Sequence, residues 1–348
     1  MADLFSDHGI HCIVDGQFGS TGKGALAAFL AQQALDGFDN DWGGCFSNAG
    51  PNSGHTFYYG DEKHVLKQLP SFAVYTALAG HPIPVFLTGG AIIDPAILCA
   101  EAEKYPEIDI LVHPNAAVIG QEDKAAEHSG SIAAVAGTRS GTGAVLARKV
   151  MRDPAAVFSA HWKNTHFPRN VHLDSYYNQI RMRDVYERPY FMEVSQGFSL
   201  GLNSRFYPKV TSRECTAAQG LADAGIAPQS LQRVYLALRT YPIRVGNVDG
   251  FSSGDCYGDQ YETTWEAISQ QPELTTVTQR VRRVFSFSEQ QAQEAILANQ
   301  PDFVFVNFLN YLNDWEQDQL LDKVAELGNH EFEILRGYGP KVEDIHYG

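Results

Sequence analysis

A short β-rich run, Ile10 to Val14, feeds directly into Gly16-Gln-Phe-Gly-Ser-Thr-Gly-Lys-Gly24, and an alanine-rich stretch from about Ala25 to Leu35 follows. No other feature constrains the fold as much. A strand, a glycine loop and a helix in this order predict the opening unit of an α/β fold built on a parallel sheet. The loop also constrains the chemistry. Backbone N–H groups ahead of a helix, with the positive end of its dipole behind them, make an anion site, and Lys23 adds a full charge to it. The Walker pattern G-x-x-x-x-G-K-[ST] is not met, because Gln17 stands at its first glycine and Gly24 at its hydroxyl. Read alone, the loop fits a phosphate cradle and a tight structural turn equally.

Later segments repeat the alternation of strand and helix. Val85-Phe-Leu-Thr is strand-like, and Asp94-Pro95 offers an N-cap and an N1 proline for a helix running toward Tyr105. Ile108 to Val112 is another apolar run. Ser288-Glu-Gln-Gln291 is a capping-box pattern before a helix, and Asp302 to Val306 reads as a buried strand. Asp314 opens a further helix, and Phe332 to Leu335 is expected as the last strand. Residues 140–186 carry many Arg, His and Tyr residues with weak periodicity, which predicts a helical insertion within one domain spanning 1–348.

Composition narrows the partners. A net charge of −15 argues against binding a nucleic-acid backbone, so small-molecule ligands are expected. The five cysteines are an odd, scattered set without a C-x-x-C pair, which predicts reduced thiols and a cytoplasmic location. No stretch approaches the roughly 20 apolar residues that span a bilayer, so no membrane role is expected.

Asn48-Ala-Gly-Pro-Asn-Ser-Gly-His-Thr56 is a second loop of small and polar residues that would let a ligand approach the backbone. Its His55 sits among small and polar neighbours, so it reads as a functional histidine, the alternative being simple solvent exposure. With this loop the chain comes to resemble the adenylosuccinate synthetase family. Gln17 to Gly24 is similar to that family's Q-W-G-D-E-G-K-G, Asn52 to Thr56 to N-A-G-H-T, and Leu66-Lys-Gln-Leu-Pro-Ser71 to L-H-L-x-P-S. Met192 to Gly197 resembles F-E-G-A-Q-G, Tyr207 to Ser212 resembles Y-P-Y-V-T-S, and Ile243 to Gly246 resembles T-R-V-G. Thr278 to Arg283 resembles T-G-R-R-R-R, and Gly339-Pro340 resembles the closing T-G-P. The matches run in order along nearly the whole chain.

The resemblance implies a P-loop NTPase-like fold with a central, mostly parallel sheet flanked by helices. It implies a ligase that phosphorylates a purine O6 and lets the aspartate amine displace phosphate at C6. Ser20, Lys23 and His55 would be the catalytic positions, His55 as general acid and charge stabiliser of the migrating phosphoryl group. Gly19, Thr21, Gly22, Lys23, Gly24, Ala25, Gly54, His55 and Thr56 would hold the nucleoside triphosphate, with magnesium (Mg2+) at Ser20 and Gly54. Arg282, Asn307, Phe308, Leu309, Asn310, Gly337, Tyr338, Gly339 and Pro340 would complete that site. Asn52, Thr138, Arg152, Gln196, Thr211 and Arg280, with Ser20, would hold the purine nucleotide, Arg152 reaching in from the second subunit of a homodimer. Thr276, Val277, Thr278, Gln279, Arg280 and Arg282 would take L-aspartate, whose carboxylates suit bidentate arginine; the alternative is a solvated basic run, as Arg283 can be.

Two departures bear on substrates. Ser20 occupies the position of the family's aspartate base, and a serine hydroxyl titrates too high to replace it unaided. A serine there resembles the family's phage-encoded branch that makes 2-aminoadenine precursors from dGMP, in the host cytoplasm. Physics alone leaves the base open, since a carboxylate would also accept from guanine N1–H and its 2-amino group. The second departure is Asn310, where the family has the aspartate that reads guanine. An amide suits the adenine edge and implies ATP or dATP as donor, with Phe308 against a purine face. The bland alternative is that Asn307 and Asn310 cap a strand. Competing readings are a compact synthetase acting on inosine monophosphate, a nucleotide-binding homologue impaired in catalysis, and, last, a P-loop switch protein.

Overall fold

In a computed structural model that describes residues 4–37, 41–128, 137–174, 184–248, 250–275 and 279–347, the first β-run is the fully buried strand β1 (Gly9–Asp15). Nine strands join it in one sheet: β2 (Gly44–Ser47), β3 (Val85–Leu87), β4 (Ile110–Val112), β5 (Val171–Leu173), β6 (Pro189–Glu193), β7 (Leu231–Arg239), β8 (Phe303–Asn307), β9 (Glu333–Gly337) and β10 (Ile345–Tyr347). Their order across the sheet is β10-β9-β8-β7-β1-β6-β2-β3-β4-β5. All neighbours pair in parallel except β10, which runs antiparallel to β9.

A parallel sheet is covered on both faces, so its central strands are apolar on both sides. Successive side chains serve opposite cores. Val234, Leu236 and Leu238 of β7 join one core with Val304 and Val306 of β8, under the helices Ala217–Ala224, Glu289–Asn299 and Asp314–Glu326. Tyr235, Ala237, Phe303 and Phe305 join the other, with α1 (Lys23–Gly37) and the helix Ser71–Leu78. The chain leaves β1 toward β2 on one side and β7 toward β8 on the other. Connections therefore diverge between these neighbours, and a crevice opens there at the carboxyl ends of the strands. The glycine loop hangs over that crevice.

Most expected elements are present with shifted ends. Asp94 caps Pro95–Lys104 by accepting from Ala96 N, and Asn313 caps the helix that begins at Asp314. Ser288 caps its helix, but Gln291 does not close a box; its side-chain amide donates instead to Ser199 Oγ at 2.8 Å. The strand expected at Phe332–Leu335 is not the last, because β10 returns antiparallel beside it. Within residues 140–186, Thr142–Val150 and Phe158–Trp162 are helical, whereas Val171–Leu173 is an edge strand of the main sheet and so departs from a helical insertion.

His11 in the middle of β1 is fully buried among Phe5, Trp42 and Tyr235. Burial pushes its pKa down to about 3, helped by Arg233 and His8 and opposed by the Ser6 backbone. Below the unfolded value of 6.5 the unfolded chain takes a proton that the folded one refuses. Stability is therefore complete above pH 6.5 and falls as pH drops toward 3. The unfolding free energy measured across this window should fall with acidity by at most about 5 kcal/mol, and a His11→Phe variant should flatten the slope. Parallel curves for parent and variant would contradict it.

Candidate active site

Asp15, the last residue of β1, shapes the glycine loop. Its Oδ1 accepts from Gln17 N at 2.9 Å and Gly19 N at 3.1 Å, and its Oδ2 accepts from Thr21 Oγ at 2.6 Å. The amides of Gln17 and Gly19 are thus committed to a protein carboxylate. The amides open to an anion are those of the first turn of α1, Lys23 to Ala25, since the first intrahelical bond is Leu26 N to Gly22 O. Lys23 Nζ lies 3.5 Å from Asp15 and donates to the Gln196 carbonyl at 2.5 Å, which holds the cation at the loop mouth. Ser20 is exposed at the tip in a left-handed conformation, φ 58°.

Gly24 is required for packing. A methyl group at Gly24 would stand 2.4 Å from the Thr56 carbonyl and 2.8 Å from its nitrogen. The start of α1 therefore presses on the strand His55–Tyr59, which carries the second loop to the first. This contact explains glycine at the position where a Walker loop has a hydroxyl.

His55 comes to the cavity already oriented. Its Nδ1 lies 3.0 Å from Glu193 Oε2, and Glu193 Oε1 accepts from Phe72 N at 2.8 Å. Glu193, buried at the end of β6, accepts the Nδ1 proton and leaves Nε2 as the free ring nitrogen. Glu193 lies within the family-like segment Met192 to Gly197, but nothing local in that segment signals a partnership with His55.

One cavity of about 820 Å³ gathers Ser20 to Ala25, Gly54 to Thr56, Arg282, Asn307, Phe308, Asn310, Gly339 and Pro340. Gly19, Leu309, Gly337 and Tyr338 do not line it. Leu309 is fully buried in the core, so its side chain is out of reach of any ligand there. Asn307 is spent on structure: Nδ2 donates to the Thr21 carbonyl at 3.2 Å, and Oδ1 accepts from Phe308 N at 2.8 Å. Asn310, exposed and lining the cavity, is the amide left for a base edge. One face of Phe308 is covered by the Arg239 guanidinium, 4.1 Å from the ring centroid, so a purine would find only the other.

Arg239 is a second residue that sequence reasoning misses. Fully buried at the end of β7, it donates to the Ser20 carbonyl at 3.0 Å and pairs with Glu273 at 2.6 Å. It ties the loop tip to the segment that leads into residues 276–282. Thr276, Val277 and Thr278 lie outside the described residues. Gln279 lines the first cavity; Arg280 is exposed and, with Arg282, lines a second cavity of about 450 Å³ beside Gly246 and Trp265. Burial pushes the Arg282 pKa below its usual value, with Glu273 opposing. Arg283 is structural: it pairs with Glu262 and donates to Ser253 Oγ and the Gly254 carbonyl.

Gln196, left-handed at φ 69°, donates to Asn52 Oδ1 at 2.9 Å, so these two stand together near Lys23. Thr211 is half-buried, and the Thr138 hydroxyl lies 3.0 Å from that of Ser140. Arg152 stands apart, exposed beyond the helix Thr142–Val150. Among the described residues no cluster of His, Cys, Asp or Glu would hold a metal. Magnesium, which keeps waters and phosphate oxygens as ligands, needs fewer protein donors, and Ser20 and Gly54 offer oxygens at the cavity wall.

The sequence model of the adenylosuccinate synthetase family matches residues 12–188 and 178–320. The chain belongs to the adenylosuccinate synthetase family. It is 36% identical over 355 residues to N6-succino-2-amino-2'-deoxyadenylate synthase of Vibrio phage phiVC8, with 97% of each chain covered. Within the same family, the succinoaminodeoxyadenylate synthetase of Cyanophage S-2L, solved bound to dGMP and to dATP as an energy donor, superposes with a TM-score of 0.87 at 34% identity. That match covers 98% of this chain and 96% of the other. The fully ligated adenylosuccinate synthetase of Plasmodium falciparum shares the fold, with a TM-score of 0.72 at 17% identity over 98% and 100% of the two chains.

Proposed function

We propose that this synthetase condenses L-aspartate with dGMP, using ATP or dATP, to give 2-amino-2'-deoxy-N6-succinyl-adenylate, the nucleoside diphosphate and phosphate, on the route to 2-aminoadenine. The observation that carries the reading is Ser20 at the position of the family's base, facing the same cavity as a histidine fixed by Glu193. The names and bound nucleotides of the phage relatives agree with it.

The donor triphosphate lies along the first turn of α1, with Lys23 at its terminal group and Asn310 at its adenine edge. Ser20 and Gly54 would hold magnesium, which would supply positive charge to the triphosphate. As the imidazolium, with Nδ1–H on Glu193, His55 donates from Nε2 to the γ-phosphoryl group as it moves to the base O6, and N1 of the base passes its proton to water. The Ser20 hydroxyl leaves room for the 2-amino group and does not take that proton. The aspartate amine, its carboxylates held by Arg280 and Arg282, then attacks C6. The C6–O bond breaks, and phosphate departs with the base oxygen. Asn52, Gln196, Thr211 and Thr138 hold the purine nucleotide. Arg152 acts in the second subunit of a homodimer; it is left-handed at φ 64° and adjoins Val150 and Met151, 74% and 80% exposed, a grouping suited to a protein interface. No helix among the described residues is long and apolar enough to cross a membrane, and we place the reaction in the host cytoplasm.

Phosphate release with aspartate, magnesium and each pairing of dGMP or inosine monophosphate with ATP, dATP or GTP tests the reading. Turnover is expected with dGMP and either adenine donor, and Ser20→Asp should lower it. Turnover of inosine monophosphate alone would replace this reading with a compact adenylosuccinate synthetase. Nucleotide binding without phosphate release would identify an impaired homologue.

A further inference from the structure

Arg213 is a buried cation, 9% exposed, with no carboxylate in direct contact among the described residues. Its guanidinium makes one side-chain hydrogen bond, Nη1 to the Gly90 carbonyl at 2.8 Å, and no ion pair among the described residues. Burial pushes its pKa down; Asp223 is the first of the acids opposing this. Yet the Asp223 oxygens are already taken by Asn48 Nδ2 at 2.8 Å and Gln219 Nε2 at 2.7 Å. Lys149 repeats the pattern at the neighbouring carbonyl: half-buried, it donates to Gly89 O and has no described ion pair. Both cations line a cavity of about 620 Å³ at the carboxyl ends of β3 and β4, which Ser212 also lines. Asp223 lines the same cavity and supports both cations from a distance, but neither has a direct ion pair, which a bound anion would supply.

The position of Arg213 indicates which anion. A methyl group built on Gly50 would meet Arg213 Nη2 at 3.0 Å and Asn52 Oδ1 at 3.1 Å, so both polar ends converge over that glycine. Asn52 is in turn bonded to Gln196, and Thr211 lies two residues before Arg213. We propose that Arg213 binds the 5'-phosphate of the purine nucleotide, giving that phosphate a bidentate cation from the same subunit. This inference rests on the proposed reading that Asn52, Gln196 and Thr211 face the acceptor nucleotide. Lys149, across the cavity, adds positive field without needing to touch the ligand.

The test measures binding of dGMP and of deoxyguanosine to the full-length parent, to Arg213→Met and to Arg213→Lys, with thermal midpoints of the ligand-free proteins. Arg213→Met should weaken dGMP about 10- to 100-fold while leaving deoxyguanosine within about 2-fold. Its ligand-free midpoint should hold or rise, because an unpaired buried charge has gone. Arg213→Lys keeps the charge and loses the fork, so it should fall between the two. Equal weakening of dGMP and deoxyguanosine, or a lower ligand-free midpoint with undiminished preference for dGMP, would overturn the proposal. Should Arg213→Met not fold, a dGMP preference in Arg213→Lys equal to the parent's overturns it as well. A parent that prefers inosine monophosphate fails the substrate reading only, and the comparison with inosine then tests Arg213 in the same way; a parent that binds neither nucleotide overturns both.

Discussion

Replacing His55 by alanine lowers kcat by about 100- to 10,000-fold while both nucleotides still bind. In the proposed mechanism the effect falls on kcat because the Nε2 donor would meet charge that develops as the phosphoryl group moves, whereas Lys23 and the first turn of α1 would hold the ground-state triphosphate. Glu193→Gln is the companion variant. An amide can no longer receive the Nδ1 proton as a charged acceptor, so the ring loses its fixed tautomer and the stabilisation of its protonated form. We expect a smaller loss, about 10- to 100-fold, with the donor KM little changed. Single-turnover phosphate release checks both. A His55→Ala enzyme within about 3-fold of the parent would remove the histidine from the chemistry.

Lys23→Met is expected to cost about 1,000-fold or more in kcat/KM for the triphosphate, since a charged donor aimed at the transferring group is lost. It has a second consequence. Lys23 is the cation beside buried Asp15, and its removal leaves that carboxylate unpaired, which destabilises the fold by about 3 kcal/mol. Asp15→Asn in the same chain should restore much of the stability and none of the activity, because an amide at that position removes the stranded charge without supplying a cation. Denaturant midpoints and initial rates on the three variants separate the two effects. Recovery of activity in the double variant would show that Lys23 acts only through Asp15.

Local signals make the first unit legible. The β-run, the loop and the alanine-rich helix are contiguous, and each rests on a local preference: β-branched residues, glycines, alanines. The helix starts at Asp94 and Ser288 are readable for the same reason, because caps act over three residues. What escapes depends on distance along the chain. Glu193 meets His55 across 138 positions, and Arg239 meets the Ser20 carbonyl across 219, so neither partner marks the other in the sequence. The Leu309 side chain packs into the core among apolar neighbours, a placement that a motif match does not foretell. Strand β10 leaves no signal, since three residues carry too little periodicity to show. Asp15, by contrast, is a local signal that the glycines beside it obscure. A carboxylate at the end of a buried strand, just before a glycine loop, has only loop amides and a lysine to pair with.

Phosphorylation of the base is the step on which every assigned role depends, and dGMP carrying oxygen-18 at its six-position oxygen tests it. The label should appear in the inorganic phosphate, one atom per molecule, in step with the succinylated product. Unlabelled phosphate released alongside that product would mean that the base oxygen never accepts the phosphoryl group, and His55 and Lys23 would not act as phosphoryl-transfer residues.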